Sequence, residues 1–276
     1  ILDFRLATNS KRDAENFCAL SNSLYARPVN EAYYNWQFFE CPFPSLLNVA
    51  VDHNDKILGT YALHIQNNVA WVLDIMVSPT VQRRGVFKQL VDFGFENLRK
   101  FDVNAIVVMA NENANRACVD GLGWTRINTL YTYFAEPYPT DRNQRFEVGS
   151  VADFSSIDLS AHSKNRISNQ RTSEYQNWRF FRNARYSYDV FSFSESGADV
   201  GYVVLKTFKD PVSGKSFGDI VDLFWAEENP DLIKEMVAFS LDYFHQLNIA
   251  TTAIWLQTNT ILDAVGLEAG FVRSNQ

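Results

Sequence analysis

The apolar residues in the first half of the chain follow patterns that predict both strands and helices. Segments rich in β-branched residues and separated by polar turns predict strands at 45–52, 57–66 and 69–77. The stretch 86–101 places most of its apolar residues at helical spacing, which predicts an amphipathic helix. A continuous apolar run at 105–110 is typical of a strand that is buried on both faces.

Further elements are expected on either side of this segment. A strand at 4–7 and a helix at 13–25 open the pattern, and a short helix at 113–121 precedes a final strand at 127–134. This order predicts an α/β fold of the α+β type, with a mixed, mostly antiparallel central sheet and helices on its faces.

An internal repeat indicates that the chain contains two copies of this unit. Asn35 and Trp36 recur 142 residues later as Asn177 and Trp178. Because ordered matches with small changes in offset mark a duplication, we predict two tandem domains of the same fold. The further matches are Gly59 with Gly201, Asp74 with Asp222, the segment 88–93 with 234–239, and Gly123 with Gly270.

The repeat sets the expected domain boundaries. The first domain is predicted at 1–136, a proline-bearing linker at 137–144 and the second domain at 145–276. The second copy runs out before the counterpart of the last strand in the first copy, so we expect the natural chain to continue beyond Gln276. The two tryptophans of the repeat are interpreted as packing residues, because they occur in both copies.

Composition narrows the class of protein. The chain of 276 residues is 46% hydrophobic and 21% charged, which is typical of a globular protein and excludes extensive disorder. No apolar run approaches the roughly 20 residues that a membrane-spanning helix needs, and no signal peptide is visible. A net charge of -7 argues against a nucleic-acid partner. Three widely spaced cysteines predict neither a disulfide framework nor a metal site, and they favour a cytoplasmic location.

The segment from 77 to 87 contains the most informative candidate chemistry. It lies between a predicted buried strand and a predicted helix, where unpaired backbone N–H groups and the helix dipole attract anions. Gly85 permits close approach of the backbone to a ligand, and Arg83, Arg84 and Lys88 add positive charge. The alternative is an ordinary strand-to-helix connection, since many of these carry a glycine and two arginines.

Two motifs in this half resemble those of the GNAT superfamily of acyl-CoA N-acyltransferases. Gln82-x-x-Gly85-x-Phe87 is similar to the acyl-CoA loop of that family, Gln/Arg-x-x-Gly-x-Gly/Ala, from which it departs at Phe87. The segment 111–114, followed by Gly123-Trp124, resembles the Asn-containing block that leads to Gly-Phe/Trp in the family. The order of elements agrees over each copy, and the specific motifs lie within 71–124.

The resemblance implies that acetyl-CoA or another acyl-CoA binds as co-substrate, without a metal, between the strands ending near 77 and 110. An amine would then attack the thioester directly. The backbone at 75–77 would run beside the pantetheine arm, and the loop at 82–87 would hold the pyrophosphate. The cofactor-binding residues implied in this way are Ile75, Met76, Val77, Gln82, Arg83, Arg84, Gly85, Val86, Phe87 and Asn111.

Two residues are candidates for proton transfer. Asp74 lies on the strand that leads to the cofactor and is the best candidate base, although its counterpart Asp222 argues equally for a structural role in both halves. Cys118 stands where many relatives place a tyrosine that protonates the departing thiolate. Its alternative is a small apolar packing residue, which is the usual role of a free cysteine. The tyrosines that are candidates for reaching the site or forming its wall are Tyr61, Tyr131 and Tyr133.

The second copy lacks the loop. Its counterpart is two residues shorter, has no glycine, and carries Glu227, Glu228 and Asp231, whose charge would repel a phosphate. We therefore expect one cofactor site in each chain, in the first half. A group of basic residues in the second copy is interpreted as a solvated helix face or, alternatively, as a site for an anionic acceptor: Lys164, Arg166, Arg171, Arg179, Arg182 and Arg185.

Three functional hypotheses follow from these residues. The leading one is an acyl-CoA-dependent N-acyltransferase that acts on a small amine, with an amino sugar suggested by family analogy alone. The second keeps the fold and changes the donor to a longer acyl or an aminoacyl group. The third is a non-catalytic binding or scaffold protein, which the missing tyrosine and the bulky Phe87 support. The sequence does not indicate an oligomeric state.

Overall fold

The computed structural model describes residues 2–141, 145–157, 171–210 and 213–274, which form two structural units. Within these ranges the first unit comprises residues 2–125 and the short segment 182–185. The second unit comprises the rest. The segment 182–185 therefore belongs to the first unit, although it is distant in sequence.

The first unit is built on a five-stranded sheet in the order β1-β2-β3-β4-β5. The pairs from β1 to β4 are antiparallel, and β4 and β5 are parallel. The strands are β1 Asp3–Leu6, β2 Ser45–Val51, β3 Ile57–Gln66, β4 Val69–Val77 and β5 Ala105–Val108. The helices are α1 Lys11–Leu24, α2 Glu31–Phe38, α3 Val86–Leu98 and α4 Glu112–Leu122.

Both faces of this sheet are covered because its central strands are apolar on both sides. One core cluster joins the sheet to α1 and α2 and includes Phe17, Tyr34 and Met76. The other joins it to α3 and includes Tyr61 and Leu90. The predicted bounds of the two longest strands, 57–66 and 69–77, are confirmed.

The sequence patterns did not predict α2, which contains the repeated tryptophan block. Its first turn is capped by the side chain of Asn30, which accepts a hydrogen bond from the Tyr33 N–H at 3.0 Å. Trp36 lies within this helix and is buried. Trp178 is also buried, in a π-helical turn of the second unit, so burial supports the packing role expected for both tryptophans.

β4 separates from β5 halfway along its length. The parallel ladder joins Val69–Val72 to Ala105–Val108 and stops there, although β4 continues to Val77. The ladder between β3 and β4 shifts register beside Thr60, and Asp74 has a φ of 45°, which marks a β-bulge. The bulge turns the end of β4 and leaves its edge at residues 73–77 without ladder partners on β5.

The second unit is built on a seven-stranded sheet in the order β12-β6-β11-β10-β9-β8-β7. Its strands are β6 Leu130–Ala135, β7 Glu147–Ser150, β8 Asp189–Glu195, β9 Ala198–Lys209, β10 Ser216–Trp225, β11 Thr251–Gln257 and β12 Val272–Arg273. Its helices are α5 Ser173–Gln176, which continues as a π-helical turn Asn177–Phe181, α6 Pro230–Gln246 and α7 Ile261–Glu268.

The position of β6 corrects the expected domain boundary. The strand predicted at 127–134 was assigned to the first domain, within 1–136, but β6 pairs with β11 and β12 in the second sheet. Tyr133 and Ala135 are buried in the core of that unit. The alternation of β6 predicts a strand, but it does not specify which of two similar sheet edges the strand joins. Tyr131 and Tyr133 thus belong to the second unit.

The glycines of the repeat confirm that the two units share one fold. A Cβ placed on Gly59 would lie 2.9 Å from a methyl carbon of Leu90 and 3.4 Å from the carbonyl oxygen of Met76. A Cβ on Gly201 would lie 2.5 Å from the carbonyl oxygen of Phe224 and 3.4 Å from the sulfur of Met236. Each glycine therefore allows a strand to approach a helix at the same place in its own unit.

Two kinds of feature are missing from the described residues. Helices of the length and apolar character required to cross a bilayer are not found in this part of the chain. Groups of three or more His, Cys, Asp or Glu side chains that could hold a metal ion are likewise not found there.

Candidate active site

The loop after β4 presents its backbone at the start of α3. It passes through a short 3₁₀ turn at Pro79–Val81, and the Gln82 side chain donates a hydrogen bond from Nε2 to the Val77 carbonyl oxygen at 3.0 Å. Arg83 and Gly85 both have left-handed backbone conformations, with φ of 61° and 75°. Two reversals within three residues fold the loop tightly ahead of the helix.

The N-terminus of α3 is suited to binding an anion. Gly85 is its N-cap and supplies no side chain, so the N–H groups of the first turn are not capped by a side chain. Arg83 and Arg84 are exposed and form no ion pair with any described residue. Lys88, also expected to add charge here, instead pairs with Asp92 at 2.6 Å.

The side chains of Val86 and Phe87 pack in the core. Val86 is buried in the core under α3, and Phe87 packs against the same cluster. The bulky residue at the last position of the loop motif therefore points into the core. The Phe87 ring therefore does not cover the side of the turn where an anion would bind.

Asp74 brings a carboxylate to the bulge of β4. Its backbone carbonyl accepts a hydrogen bond from the Thr60 hydroxyl at 2.6 Å, which fixes the bulge. Its Oδ2 atom is buried and has no hydrogen-bond partner among the described residues. Burial raises the pKa of Asp74 to about 6, against the opposing effects of the Arg185 charge and a hydrogen bond with Tyr33.

The side chains around Asp74 were not identified as site residues from the sequence. Tyr33 on α2 shares a hydrogen bond with Asp74, and the charge of Asp74 adds to burial in raising the pKa of Tyr25. Arg185 donates to the Arg27 carbonyl oxygen at 3.1 Å and lies 5.8 Å from the centre of the Tyr33 ring. Arg185 belonged to the basic group predicted over 164–185, and nothing in the sequence linked that group to residue 74.

The two residues that the sequence placed after β5 have local structural roles. The Asn111 side chain caps α4 by accepting a hydrogen bond from the Ala114 N–H at 2.9 Å. Cys118 is only 2% exposed, and burial raises the pKa of its thiol. This burial favours the packing alternative for Cys118.

In the second unit, the carboxylate that corresponds to Asp74 is that of Asp222, and it is paired with an arginine of the same unit. Burial alone would raise the pKa of Asp222, but the charge and hydrogen bonds of Arg171 hold that pKa below its usual value. The Arg171 guanidinium donates to both carboxylate oxygens of Asp222 and lies 4.9 Å from the centre of the Phe224 ring. Arg171, from the predicted basic group, is thus paired with Asp222 in its own unit, while Lys164 and Arg166 lie outside the described residues.

The start of α6 also differs from the start of α3. The Asn229 side chain accepts hydrogen bonds from the N–H groups of Asp231 and Leu232 at 3.1 and 3.2 Å. Pro230, at the first helical position, has no N–H to offer. The donors that an anion would use are therefore already bonded or missing.

Comparison with known families gives one match, which lies in the first unit. Residues 15–124 match the model of the Acetyltransferase (GNAT) family, which spans the loop and both motifs found in the sequence. The first unit is therefore similar to the acetyltransferases of this family over residues 15–124. No curated protein sequence matches the chain at a significant level.

Solved structures of similar fold cover both units. A tandem GNAT protein from the clavulanic acid biosynthesis pathway matches with a TM-score of 0.66 and 15% identity, over 99% of this chain and 95% of that one. A GCN5-related N-acetyltransferase from Anabaena variabilis matches with a TM-score of 0.70 and 12% identity, over 99% of this chain and 71% of that one. At these identities the likeness concerns the fold, which is that of tandem GNAT proteins.

A third match is a GCN5-related glucosamine N-acetyltransferase region of a fungal multi-domain β-N-acetylglucosaminidase. It has a TM-score of 0.68 and 14% identity, and it covers 99% of this chain but only 37% of that longer protein. The present chain thus corresponds to one region of that enzyme.

Proposed function

We propose that the protein is an acyl-CoA-dependent N-acyltransferase, with acetyl-CoA as its donor and a small amine as its acceptor. One observation carries the proposal. The gap beside β4 has an uncapped helix start with two unpaired arginines at one end, and a buried carboxylate with a free oxygen on its bulge. An anionic cofactor and a protonated amine need these two features.

The residues present fit an acyl-CoA. The N–H groups that follow Gly85, together with Arg83 and Arg84, would bind the phosphates. The unpaired edge of β4 at 75–77 offers backbone groups to the amide-bearing pantetheine arm. When bound, an acyl-CoA supplies the thioester carbonyl that the amine attacks.

Asp74 would accept the proton of the amine. With a pKa raised to about 6, its carboxylate is ionised at neutral pH and is a stronger base than an ordinary aspartate. Tyr33 would orient the carboxylate through their hydrogen bond. Cys118 is not needed in this scheme, because solvent or an ordered water can protonate the thiolate once it departs.

The acceptor class rests on weaker support. The glucosamine N-acetyltransferase region has the same fold, which supports an amino sugar as one acceptor to test. Another structure of this fold is the N-myristoyltransferase of Saccharomyces cerevisiae, described with bound myristoyl-CoA, at a TM-score of 0.68 and 7% identity. A longer acyl donor is therefore the second candidate.

The decisive experiment is a thiol-release assay with acetyl-CoA and longer acyl-CoAs, run against amines, polyamines and amino sugars. We expect amine-dependent release of CoA with at least one pair. Asp74→Asn should abolish most of it, whereas Asp120→Asn, at an exposed position on α4, and Cys118→Ala should retain it.

Absence of thiol release with every pair would contradict the enzymatic proposal. A thermal-shift titration then separates the remaining hypotheses. A rise in melting temperature with acetyl-CoA would identify a binding protein, and no rise at millimolar ligand would indicate a scaffold.

A further inference from the structure

The second unit contains a cavity where its two central parallel strands separate. The ladder between β10 and β11 runs from Phe217 to Ile220 on β10 and stops there, although both strands continue. Beyond that point lies a cavity of about 400 Å³. Its volume is within the range of small-molecule sites in proteins.

This cavity is the counterpart of the acyl-CoA gap in the first unit. Trp225, which ends β10, pairs with Gly201, as Val77 at the end of β4 pairs with Gly59. Trp225 also forms part of the wall of the cavity. The duplication has therefore kept the opening while replacing its lining.

The walls of the cavity are mainly aromatic and aliphatic. Trp225 and Trp255 contribute indole rings, and Ile261 and Leu262 contribute aliphatic surface from the start of α7. Trp255 is 65% exposed, so much of its ring is accessible to a ligand. Such walls bind an apolar body, and indole faces also attract cations.

The charged group of the lining is a carboxylate. Glu228 lines the cavity, is exposed, and forms no ion pair with the residues that the structure describes. The adjacent helix start cannot serve an anion, because Asn229 caps it and Pro230 lacks an N–H. The cavity thus corresponds in position to the cofactor gap of the first unit, but its charge favours a cation and not an anion.

We propose that this cavity is a second ligand site, which binds a small molecule with an ammonium group on an aromatic or aliphatic body. The indole rings hold the apolar body, and Glu228 pairs with the ammonium group. The site is independent of the catalytic proposal, because none of its residues belongs to the first unit.

Calorimetry with three probes of similar size tests the proposal: 2-phenylethylammonium, 2-phenylethanol and 3-phenylpropanoate at equal ionic strength. We expect the ammonium probe to bind about fivefold or more tightly than the alcohol, and the carboxylate to bind weakest. Glu228→Gln should remove the preference for the ammonium probe. The matched control is Glu227→Gln, since this neighbouring carboxylate does not line the cavity.

Two further variants locate the binding. Trp255→Ala should weaken all three probes, and its high exposure makes it compatible with folding. Asp74→Asn should leave ammonium binding unchanged, which separates this site from an acceptor site in the first unit. The proposal is overturned if no probe binds at 10 mM, which corresponds to a binding free energy weaker than about −3 kcal/mol. It is also overturned if the three probes bind alike or if Glu228→Gln has no effect.

Discussion

Asp74 and Asp222 occupy the same place in the two units, but their carboxylates differ in hydrogen-bond partners. Each lies three residues before the strand residue that pairs with a repeat glycine, Val77 with Gly59 and Trp225 with Gly201. Asp74 keeps a buried oxygen without a partner, whereas both oxygens of Asp222 accept hydrogen bonds from Arg171. One carboxylate keeps a buried oxygen without a hydrogen-bond partner, and both oxygens of the other are bonded within its own unit.

The helices that follow these strands also differ, in the capping of their first turns. Gly85 leaves the start of α3 uncapped, while Asn229 caps the start of α6. The backbone frame of the gap is thus present in both units, but among the described residues the uncapped helix start and the unpartnered carboxylate oxygen occur together in the first. The comparison indicates that a few side chains, and not the fold, decide which unit is competent for the proposed reaction.

The largest effect is expected from removing the base. Asp74→Asn should lower kcat by about 10²- to 10⁴-fold, because the proton acceptor is lost, while the KM for acetyl-CoA stays nearly constant. Steady-state kinetics with saturating amine measure this. Equal losses of kcat in Asp74→Asn and Asp222→Asn, with both proteins folded, would show that the two carboxylates have a shared structural role.

The next effect concerns stability in the second unit. Arg171→Met should lower the free energy of unfolding by about 3–5 kcal/mol, because it leaves the buried Asp222 carboxylate without a partner. Urea denaturation measures the loss. Lys234→Met, which breaks an exposed pair with Glu268, is the control and should change little.

The double variant Arg171→Met/Asp222→Asn sharpens this prediction. Because no charge then remains buried, it should recover part of the loss, which gives a coupling between the two residues. Simple additivity of the two single losses would contradict the interpretation of a buried ion pair.

The two carboxylates should also give opposite dependences of stability on pH. The pKa of Asp74 is raised to about 6, so the unfolded chain ionises first and the free energy of unfolding falls as pH rises from about 4 to 6. Asp222 has a lowered pKa, so its contribution is present at neutral pH and is lost as pH falls below about 4.

Relative to the unsubstituted protein, Asp74→Asn should therefore gain up to about 3 kcal/mol of stability between pH 4 and 7. The kcat/KM of the unsubstituted enzyme should rise with pH through a limb near 6, because Asp74 must be ionised to accept a proton. Denaturation at several pH values checks the first expectation and a pH–rate profile the second. A pH-independent difference in stability would show that Asp74 is not buried as a charge.

The smallest expected effect is that of replacing glycines with a positive φ. A pair of such variants distinguishes backbone strain from loss of ligand binding. Gly85→Ala and Gly197→Ala each place an L-residue at a φ above 70°, and each should cost about 1 kcal/mol of stability. Only Gly85→Ala should raise the KM for acetyl-CoA, because only Gly85 adjoins the proposed phosphate site. A similar rise in KM for both variants would point to a general loss of stability.

Local pattern sufficed for much of the fold. β3 and β4 coincide with the apolar segments predicted for them, since alternation and turn residues act within a few positions. The loop at 82–87 was found in the same way, because a helix start and its glycine are neighbours in sequence. β6 was assigned to the wrong sheet because strand pairing depends on distant edges that compete for the same strand.

The surroundings of Asp74 were beyond such reasoning. Burial raises its pKa, and two groups distant in sequence oppose that rise: the charge of Arg185, 111 residues away, and the hydrogen bond with Tyr33 from α2. The same limitation applies to Arg171. The sequence placed it in a group of basic residues but did not indicate that it pairs with Asp222.

The sequence by itself determined the duplication, the α/β class, the family motifs and the absence of a phosphate loop from the second copy. These properties are carried by residue types at short or repeated spacings. Only the tertiary structure decided where β6 pairs, which aspartate keeps a free oxygen and where the second cavity opens. Those outcomes depend on contacts between distant segments, whose energies no local pattern contains.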